Sequence, residues 1–539
     1  MTWPPTEVAP ERTIGKTIRR LLLVLMAVFI TVCGILALLR PKISGLLRER
    51  FQQALGERFA STVEFSDFRL TLLPRPTAEL TGLRLLYHDR KDVPPLIRVA
   101  QVSASTHWRG LFARSLRITR LTLQGLQITF PPRQPGSQPA QLSGGSKAHS
   151  TNPVEIERIL ADEAQIVLLR ADVRKTPLVF DLHHLTLEDV SLGKPARFEA
   201  TLTNAVPRGE IYARGAFGPW DSQTPRETPV DASYRLDQAD LSTINGLQGI
   251  ISSNGTFSGP LDYLDVQGTT ITPNFTLRRA ANPIMLQTVF VATVDGTNGN
   301  TSLHLVRAQF LHSKLSVKGE VADLSATTPG RTIDLDVVSD TARAEDLIHL
   351  AVSTTRPVLK GPVKLRAKIR IPEGDRDLSD RLMISAQFNV AEGHFTNPEV
   401  QEKVDLLSRK AQGEPKNTEI AGVTSQLAAS MNCRESQMSF PEIRFLVPGA
   451  RLELAGTYTL GTGNLDFQGE LLLDAKLSQT TTGPKSLFLK AIDPFFRGEH
   501  GGARIPVKIE GTQSQPRFGL GHGPGARSSL TLRTTCKSC

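Results

Sequence analysis

The residues best suited to chemistry in this chain are few and scattered. Cys536-Lys537-Ser538-Cys539 is a C-x-x-C pair at the C-terminal end, a spacing that can cycle between dithiol and disulfide or supply half of a tetrahedral metal site. A thioredoxin-type site needs a βαβ frame and a structural zinc needs a second ligand pair, and the sequence offers neither. His183-His184 and His88-Asp89 lie in strand-like segments without a second set of ligands. Asn254-Gly255-Thr256, Asn274-Phe275-Thr276 and Asn300-Thr301-Ser302 fit the glycosylation sequon and read as turn residues. No G-x-S-x-G, H-E-x-x-H or P-loop sequence is present, and no carboxylate pair is singled out for acid–base work. The sequence predicts no catalytic, metal or cofactor site, and the chain reads as a non-enzyme.

The totals narrow the remaining classes. A formal net charge of +10 is spread along 539 residues instead of being gathered into blocks. Nucleic-acid binding favours basic clusters interleaved with aromatics, and aromatics make up only 6% here. A mildly basic surface near anionic lipid headgroups is the better physical use of that charge. Four cysteines, one of them in an apolar run and two at the chain end, cannot form a disulfide framework. Strand pairing and apolar burial must therefore hold the fold.

The element that positions everything else is Leu21–Leu39, an uncharged apolar run with Leu21, Leu25, Phe29, Ile35 and Leu39 along it. As a helix rising about 1.5 Å per residue it reaches about 28 Å, close to the hydrocarbon thickness of a bilayer. Arg40-Pro41-Lys42 follows it in place of a small-x-small cleavage site, which predicts an uncleaved single-pass anchor. Arg12, Lys16, Arg19 and Arg20 precede the run and favour a cytoplasmic tail over residues 1–20. Arg40, Lys42, Arg48 and Arg50 follow it and oppose that orientation.

Beyond the anchor, Ile43, Leu47, Phe51, Leu55 and Phe59 recur every four residues and predict an amphipathic helix. From Val63 the period changes to two, so residues 40–130 read as a helix followed by strands. Residues 131–153 are rich in Pro, Gly, Ser and Gln and read as a flexible loop. A short helix is expected around Val154–Leu160, then strands through residue 390. Within them Ala239–Ile244 and Ala344–Leu350 look like related helical segments about 105 residues apart, each followed by a Gly-Pro step at Gly259-Pro260 or Gly361-Pro362. Residues 391–520 form a further β-rich region, and 521–539 a polar tail.

Two stretches show the strand pattern without interruption. Val363, Leu365, Ala367, Ile369 and Ile371 alternate with Lys364, Arg366, Lys368 and Arg370. Leu465, Phe467, Leu471 and Leu473 share a face against Asp466, Gln468, Glu470 and Asp474. Strict alternation places one face in water and the other against apolar material. That material is either a second sheet, as in a sandwich, or something the chain does not itself supply.

The anchor, the amphipathic helix, Val63-Glu64-Phe65 through Leu72-Leu73-Pro74-Arg75-Pro76, and Leu80-Thr81-Gly82-Leu83 resemble the start of AsmA-like proteins. The segment Gly393–Gly413 and the run Phe440–Leu473 resemble the C-terminal region of that family. The likeness spans most of residues 15–510 and rests on a diffuse pattern, without an invariant catalytic motif. The tail after residue 521 continues nothing in it.

The resemblance implies a mainly β fold: a transmembrane helix followed by an elongated, repetitive antiparallel β-sheet groove with a few short helices. It implies a bacterial inner-membrane protein with its bulk in the periplasm, akin to bridge-like lipid-transfer proteins and tied to outer-membrane biogenesis. On that basis Val363, Leu365, Ile369, Ile371, Leu452, Leu454, Leu465, Phe467, Leu471 and Leu473 are expected to line a groove for phospholipid or another envelope lipid. The partners implied are the inner membrane and outer-membrane assembly proteins. The alternative is a structural or assembly factor that carries no lipid.

Overall fold

In the computed structural model the residues described are 62–521, except 72–73, 87–93, 109–115, 131–153, 170–176, 192, 205, 221–224, 324–327, 329, 354–355, 461, 482–489, 491–495, 497–501 and 513–514. The anchor expected at 21–39, the helix expected at 43–59, the loop 131–153 and the tail 522–539 lie outside them. So do His88, Asp89, Cys536 and Cys539. Among the described residues no helix is long and apolar enough to cross a membrane. Most of them are in strands, and the chain divides into two compact units.

The first unit takes in residues 1–128, 142–161 and 189–192. Its strands are β1 (Thr62–Glu64), β2 (Asp67–Thr71), β3 (Thr77–Leu86), β4 (Ile97–Ser105), β5 (Leu116–Gln124) and β6 (Gln127–Phe130), with the first half of β7 (Val154–Leu168). β3 pairs antiparallel with β1 and β2 along one edge and with β4 along the other, and β4 then takes β6 and β5 in turn. Val63, Leu80, Leu85, Val99 and Val102 form its buried face.

Residues 154–160 belong to strand β7, which corrects the expected helix. Ile156, Ile159 and Leu160 have helical spacing, yet the segment runs on as a strand whose alternation is reset by Glu163 at φ 54°. Three apolar residues in so short a run suit either element, and periodicity alone does not separate them.

The second unit is one antiparallel run in which each long strand pairs with the next. It opens with β8 (Leu178–Ser191), β9 (Ala196–Asn204), β10 (Arg208–Phe217) and β11 (Pro229–Asp240). Then come β12 (Leu247–Gln248), β13 (Ile250–Pro260), β14 (Leu264–Leu277), β15 (Ile284–Val294), β16 (Thr301–Phe310), β17 (Ser313–Ala322) and β18 (Thr332–Arg343). Helix α1 (Ala344–Ala351), β19 (Leu359–Lys360), β20 (Pro362–Ile371), the single-turn helix α2 (Leu378–Arg381), β21 (Met383–Phe395) and helix α3 (Pro398–Ala411) follow. β22 (Ser425–Arg434), β23 (Gln437–Val447), β24 (Ala450–Thr459), β25 (Asn464–Leu473), β26 (Ala503–Thr512) and β27 (Gln515–Leu520) complete it.

The suspected repeat has a topological basis. β11 pairs with β13 while the two-residue β12 between them pairs with β14. β18 likewise pairs with β20 while β19 pairs with β21. Both leading strands slip register just before a fully buried alanine, Ala239 or Ala342. The connections differ. The first copy makes one 3-10 turn, Leu241–Thr243, in place of the helix-like segment expected at 239–244. Asp240 caps Ser242 N at 2.8 Å, and Gly246 at φ 103° turns the chain away. The second copy continues into α1, with Glu345 and Asp346 in its first turn, where the helix dipole favours negative charge. The Gly-Pro steps are not equivalent, for Gly259-Pro260 ends β13 whereas Gly361 directly precedes β20 at Pro362.

Candidate functional site

Strand register assembles the alternating residues into rows that run across the second unit. Leu365 faces Phe388, which faces Ala429, then Ile443, Leu454 and Gly469. A parallel row passes through Val363, Val390, Leu427, Phe445, Leu452 and Leu471. A third joins Leu335, Ile369, Ile384, Cys433, Met438 and Tyr458, and ends at Leu465. Because side chains alternate with a period of two, each row lies on one side of the sheet.

The two ends of this apolar face differ. At the rim where β20 begins and β21 ends, α1 closes over a cluster of Ala342, Ala344, Leu359, Val363 and Val390, with Leu347, Ile348 and Leu365 against it. Next to it α3 covers Val447, Ala450, Leu473 and Ala503 with Val404 and Ala411, and Leu471 packs alongside. Phe395 touches both clusters and stands edge-on to Phe445 at 6.0 Å. Away from that rim Leu335, Ile369, Ile384, Leu454 and Leu465 are only half-buried. Of the residues expected to line a groove, Val363, Leu365, Leu471 and Leu473 therefore sit under the helices. Ile369, Leu452, Leu454 and Leu465 lie half-buried beyond them. Phe467 is buried beside Phe440, ring centroids 5.7 Å apart across Gly456. Ile371, the last residue of β20, is buried at the opposite rim.

The sheet is rolled. Arg278 and Arg279 follow β14 directly, and they meet Asp377 and Asp380 in the loop after β20. Leu378 N donates to Asn245 O at 3.1 Å, and Asn245 Nδ2 to Asp375 O at 3.0 Å. These contacts join opposite ends of β14 and β20. Five strand spacings and a ten-residue strand would hold such ends about 40 Å apart in a flat sheet. An eleven-residue loop doubled on itself reaches roughly 17 Å, so the sheet must curl to close the distance. The apolar face is the shielded, inner side of the curl, and the opposite face is open: the Lys368 side chain is 83% exposed and Arg370 57%.

The outer face carries cross-strand ion pairs, Lys368 with Asp336 at 3.7 Å and Arg370 with Asp334 at 3.6 Å. A cleft of about 1030 Å³ takes three consecutive residues from each of six strands, β16–β18 and β20–β22. The flanking members of each triplet, such as Lys318 and Glu320 or Asp334 and Asp336, belong to the outer face. The middle members, among them Leu303, Leu335, Ile369, Ile384 and Cys433, belong to the apolar row, so the cleft draws on residues of both faces of the twisted sheet. Towards β14 and β15 that outer face loses its charge and exposes Ile271, Met285, Val289 and Val291. Alternation alone gave no sign of this.

His184 is placed between Asp162 Oδ1 at 2.7 Å and Thr186 Oγ1 at 2.9 Å, and His183 Nε2 lies 2.7 Å from Thr203 Oγ1. This is a solvent-exposed polar network on an open strand. Among the described residues no group of three or more His, Cys, Asp or Glu could hold a metal ion. Cys433 is buried on the apolar face, and that burial pushes its thiol pKa up, away from the reactive thiolate. Comparison with known proteins finds no matching family model, no matching curated protein and no matching solved structure.

Proposed function

We propose that this protein shelters the acyl chains of phospholipid, or of another envelope lipid, in a groove formed by the inner face of the second unit. The observation that carries the reading is an apolar face continuous across successive strands, closed by helices at one rim and half-buried beyond it at Leu335, Ile369, Ile384, Leu454 and Leu465. An apolar slot stabilises an acyl chain by about 0.8 kcal/mol per buried CH₂, while the headgroup keeps its water at the open margin. The apolar run at 21–39 would tether this body to a membrane, and the resemblance to AsmA-like proteins favours the periplasmic side of the inner membrane and a part in outer-membrane biogenesis. The reading requires no catalytic step and no cofactor, and nucleic acid has no part in it.

A second reading, an assembly factor for outer-membrane proteins, draws on β27. This edge strand is exposed throughout, with Phe518 at 73% and Leu520 at 69%, and an open edge can accept a strand from another chain. The two readings separate in one experiment on the full-length protein in native membranes. A photoreactive residue replaces Ile369 on the inner face or Lys368 on the outer face, and adducts are identified by mass spectrometry. Lipid adducts at position 369 and none at 368 are expected. Adducts to protein alone, or none at 369, would overturn the acyl-chain reading.

A further inference from the structure

The loop between β20 and β21, residues 372–382, does more than join two strands. It leaves the rim opposite α1, crosses to the far end of β14, and is held there by side chains distant in sequence. Arg279 pairs with Asp380 and also reaches Ser436 Oγ at 3.4 Å; Arg278 stands 3.7 Å from Asp377. Arg381 braces the loop from within, its Nε donating to Arg376 O at 2.9 Å. Gly246 meets the loop at close range: a Cβ there would lie 2.8 Å from Leu378 Cβ, and at φ 103° a side chain would be strained in any case.

We propose that residues 372–382 are a strap that closes the apolar face of the second unit, latched by Arg278 and Arg279 and released when a lipid phosphate competes for those arginines. The proposal rests on the acyl-chain reading and adds to it a point of control. Three observations support it. The strap bridges the end of β20 and the opposite end of β14, the two margins between which the apolar face is rolled. Its attachments are partly exposed ion pairs and a few hydrogen bonds, with side-chain exposures of 45% at Arg278 and 49% at Arg279; such bonds are individually weak and can be exchanged. The latching groups are guanidiniums, which pair with phosphate as readily as with carboxylate. An arriving headgroup can therefore take the place of Asp377 and Asp380 while its chains enter beneath.

The test uses the full-length protein with Cys33, Cys536 and Cys539 changed to Ser and buried Cys433 retained. Asn245→Cys and Leu378→Cys are added, since their backbone hydrogen bond brings the Cα atoms near the spacing a disulfide spans. A photoreactive group at position 369 reports lipid. Protein locked by oxidation, or left reduced, is mixed with phosphatidylcholine vesicles carrying alkyne-tagged phosphatidylethanolamine and irradiated. A strap that gates entry gives at least tenfold less tagged adduct when locked, restored by reductant. Equal labelling in both states overturns the strap and leaves the acyl-chain reading standing. No labelling in either state overturns the acyl-chain reading and the strap with it. As a second route that needs no disulfide, Arg279→Glu or Asp380→Arg alone should raise labelling, and the two combined should return it to the original level. Unchanged labelling in the single variants counts against the latch.

Discussion

One sheet of the second unit is finished like a protein core at one end and left half-open along the rest. Under α1 and α3, Val363, Val390, Leu473 and Ala503 are nearly inaccessible. Further along the same strands Ile369, Ile384 and Leu465 keep part of their surface in solvent. Both regions are built from the same alternating sequence, so strand pattern does not create the difference. The helices do. Where a helix falls over the sheet the apolar face becomes a core that stabilises the fold. Elsewhere it is surface held in reserve, which a protein retains at some cost in solubility and therefore for a use.

The contrast is broken most directly at its core end. Leu473→Glu would bury an unpaired carboxylate among Ala450, Ala503 and Val404, and it is expected to abolish the folded second unit, read as loss of protease resistance. Next in size is Asp405 on α3, whose carboxylate accepts hydrogen bonds from Gly422 N at 2.8 Å, Val423 N at 3.0 Å and Gln401 Nε2 at 2.9 Å. Asp405→Ala should cost about 1–3 kcal/mol in denaturant unfolding by taking the acceptor from the Gly422 and Val423 amides, since Gln401 Nε2 keeps Val423 O.

Burial by itself would raise the Asp405 pKa, but those hydrogen bonds and the nearby Arg409 charge outweigh it and hold the value below the ordinary one. A lowered folded-state pKa means the stabilisation is complete above the unfolded value, roughly 4, and is lost as pH falls through the folded value. The variant should therefore show a shallower loss of stability on acidification than the unaltered protein.

The open region should respond in the opposite sense. Ile369→Glu is expected to change stability by under about 1 kcal/mol, since its carboxylate can stay hydrated, while lipid photo-adducts at a neighbouring inner position such as Ile384 disappear. Severe destabilisation by this substitution would erase the distinction between the two ends. The smallest effect belongs to the outer face. Lys368→Ala removes one exposed ion pair with Asp336 and should alter stability by about 0–1 kcal/mol, with lipid adducts unchanged.

Much of the strand layer was legible because its signal is local. The alternation of Val363, Leu365, Ala367, Ile369 and Ile371 against four cations fixes both the element and its faces, and the structure has β20 there with those faces. The repeat shows in the likeness of Ala239–Ile244 to Ala344–Leu350, though register sets Ala239 against Ala342 and the length of the helical connection differs between the copies. Asp240 and Gly246 limit the first copy to a single turn, whereas Asp346 secures the second by bonding Ser313 Oγ at 2.8 Å on the preceding hairpin. Residues 154–160 form a strand where a helix is expected, because a short apolar run does not by itself tell the two apart. The division of the groove candidates into plugged and half-open could not be read from alternation, for it depends on where helices distant in sequence come to rest. Nor could the roll of the sheet, which is pinned by contacts such as Arg279 with Asp380 and with Ser436, 101 and 157 positions apart.

The order of pairing in the second unit sets how such a chain can be built. Each long strand adds to the one before it, so every step closes only a short loop and leaves a fresh edge for the next segment to join. A polypeptide emerging from its N-terminal side need not wait for distant sequence, and the sheet can lengthen at the pace of its delivery. The bonds from Asn245, Arg278 and Arg279 to the loop after β20 are different in kind, because β15 to β18 and β20 must be in place before they can form. Amides of residues 375–380 should accordingly gain protection from hydrogen exchange after those of β14 and β18, so this loop is fastened only once the strands it bridges are paired.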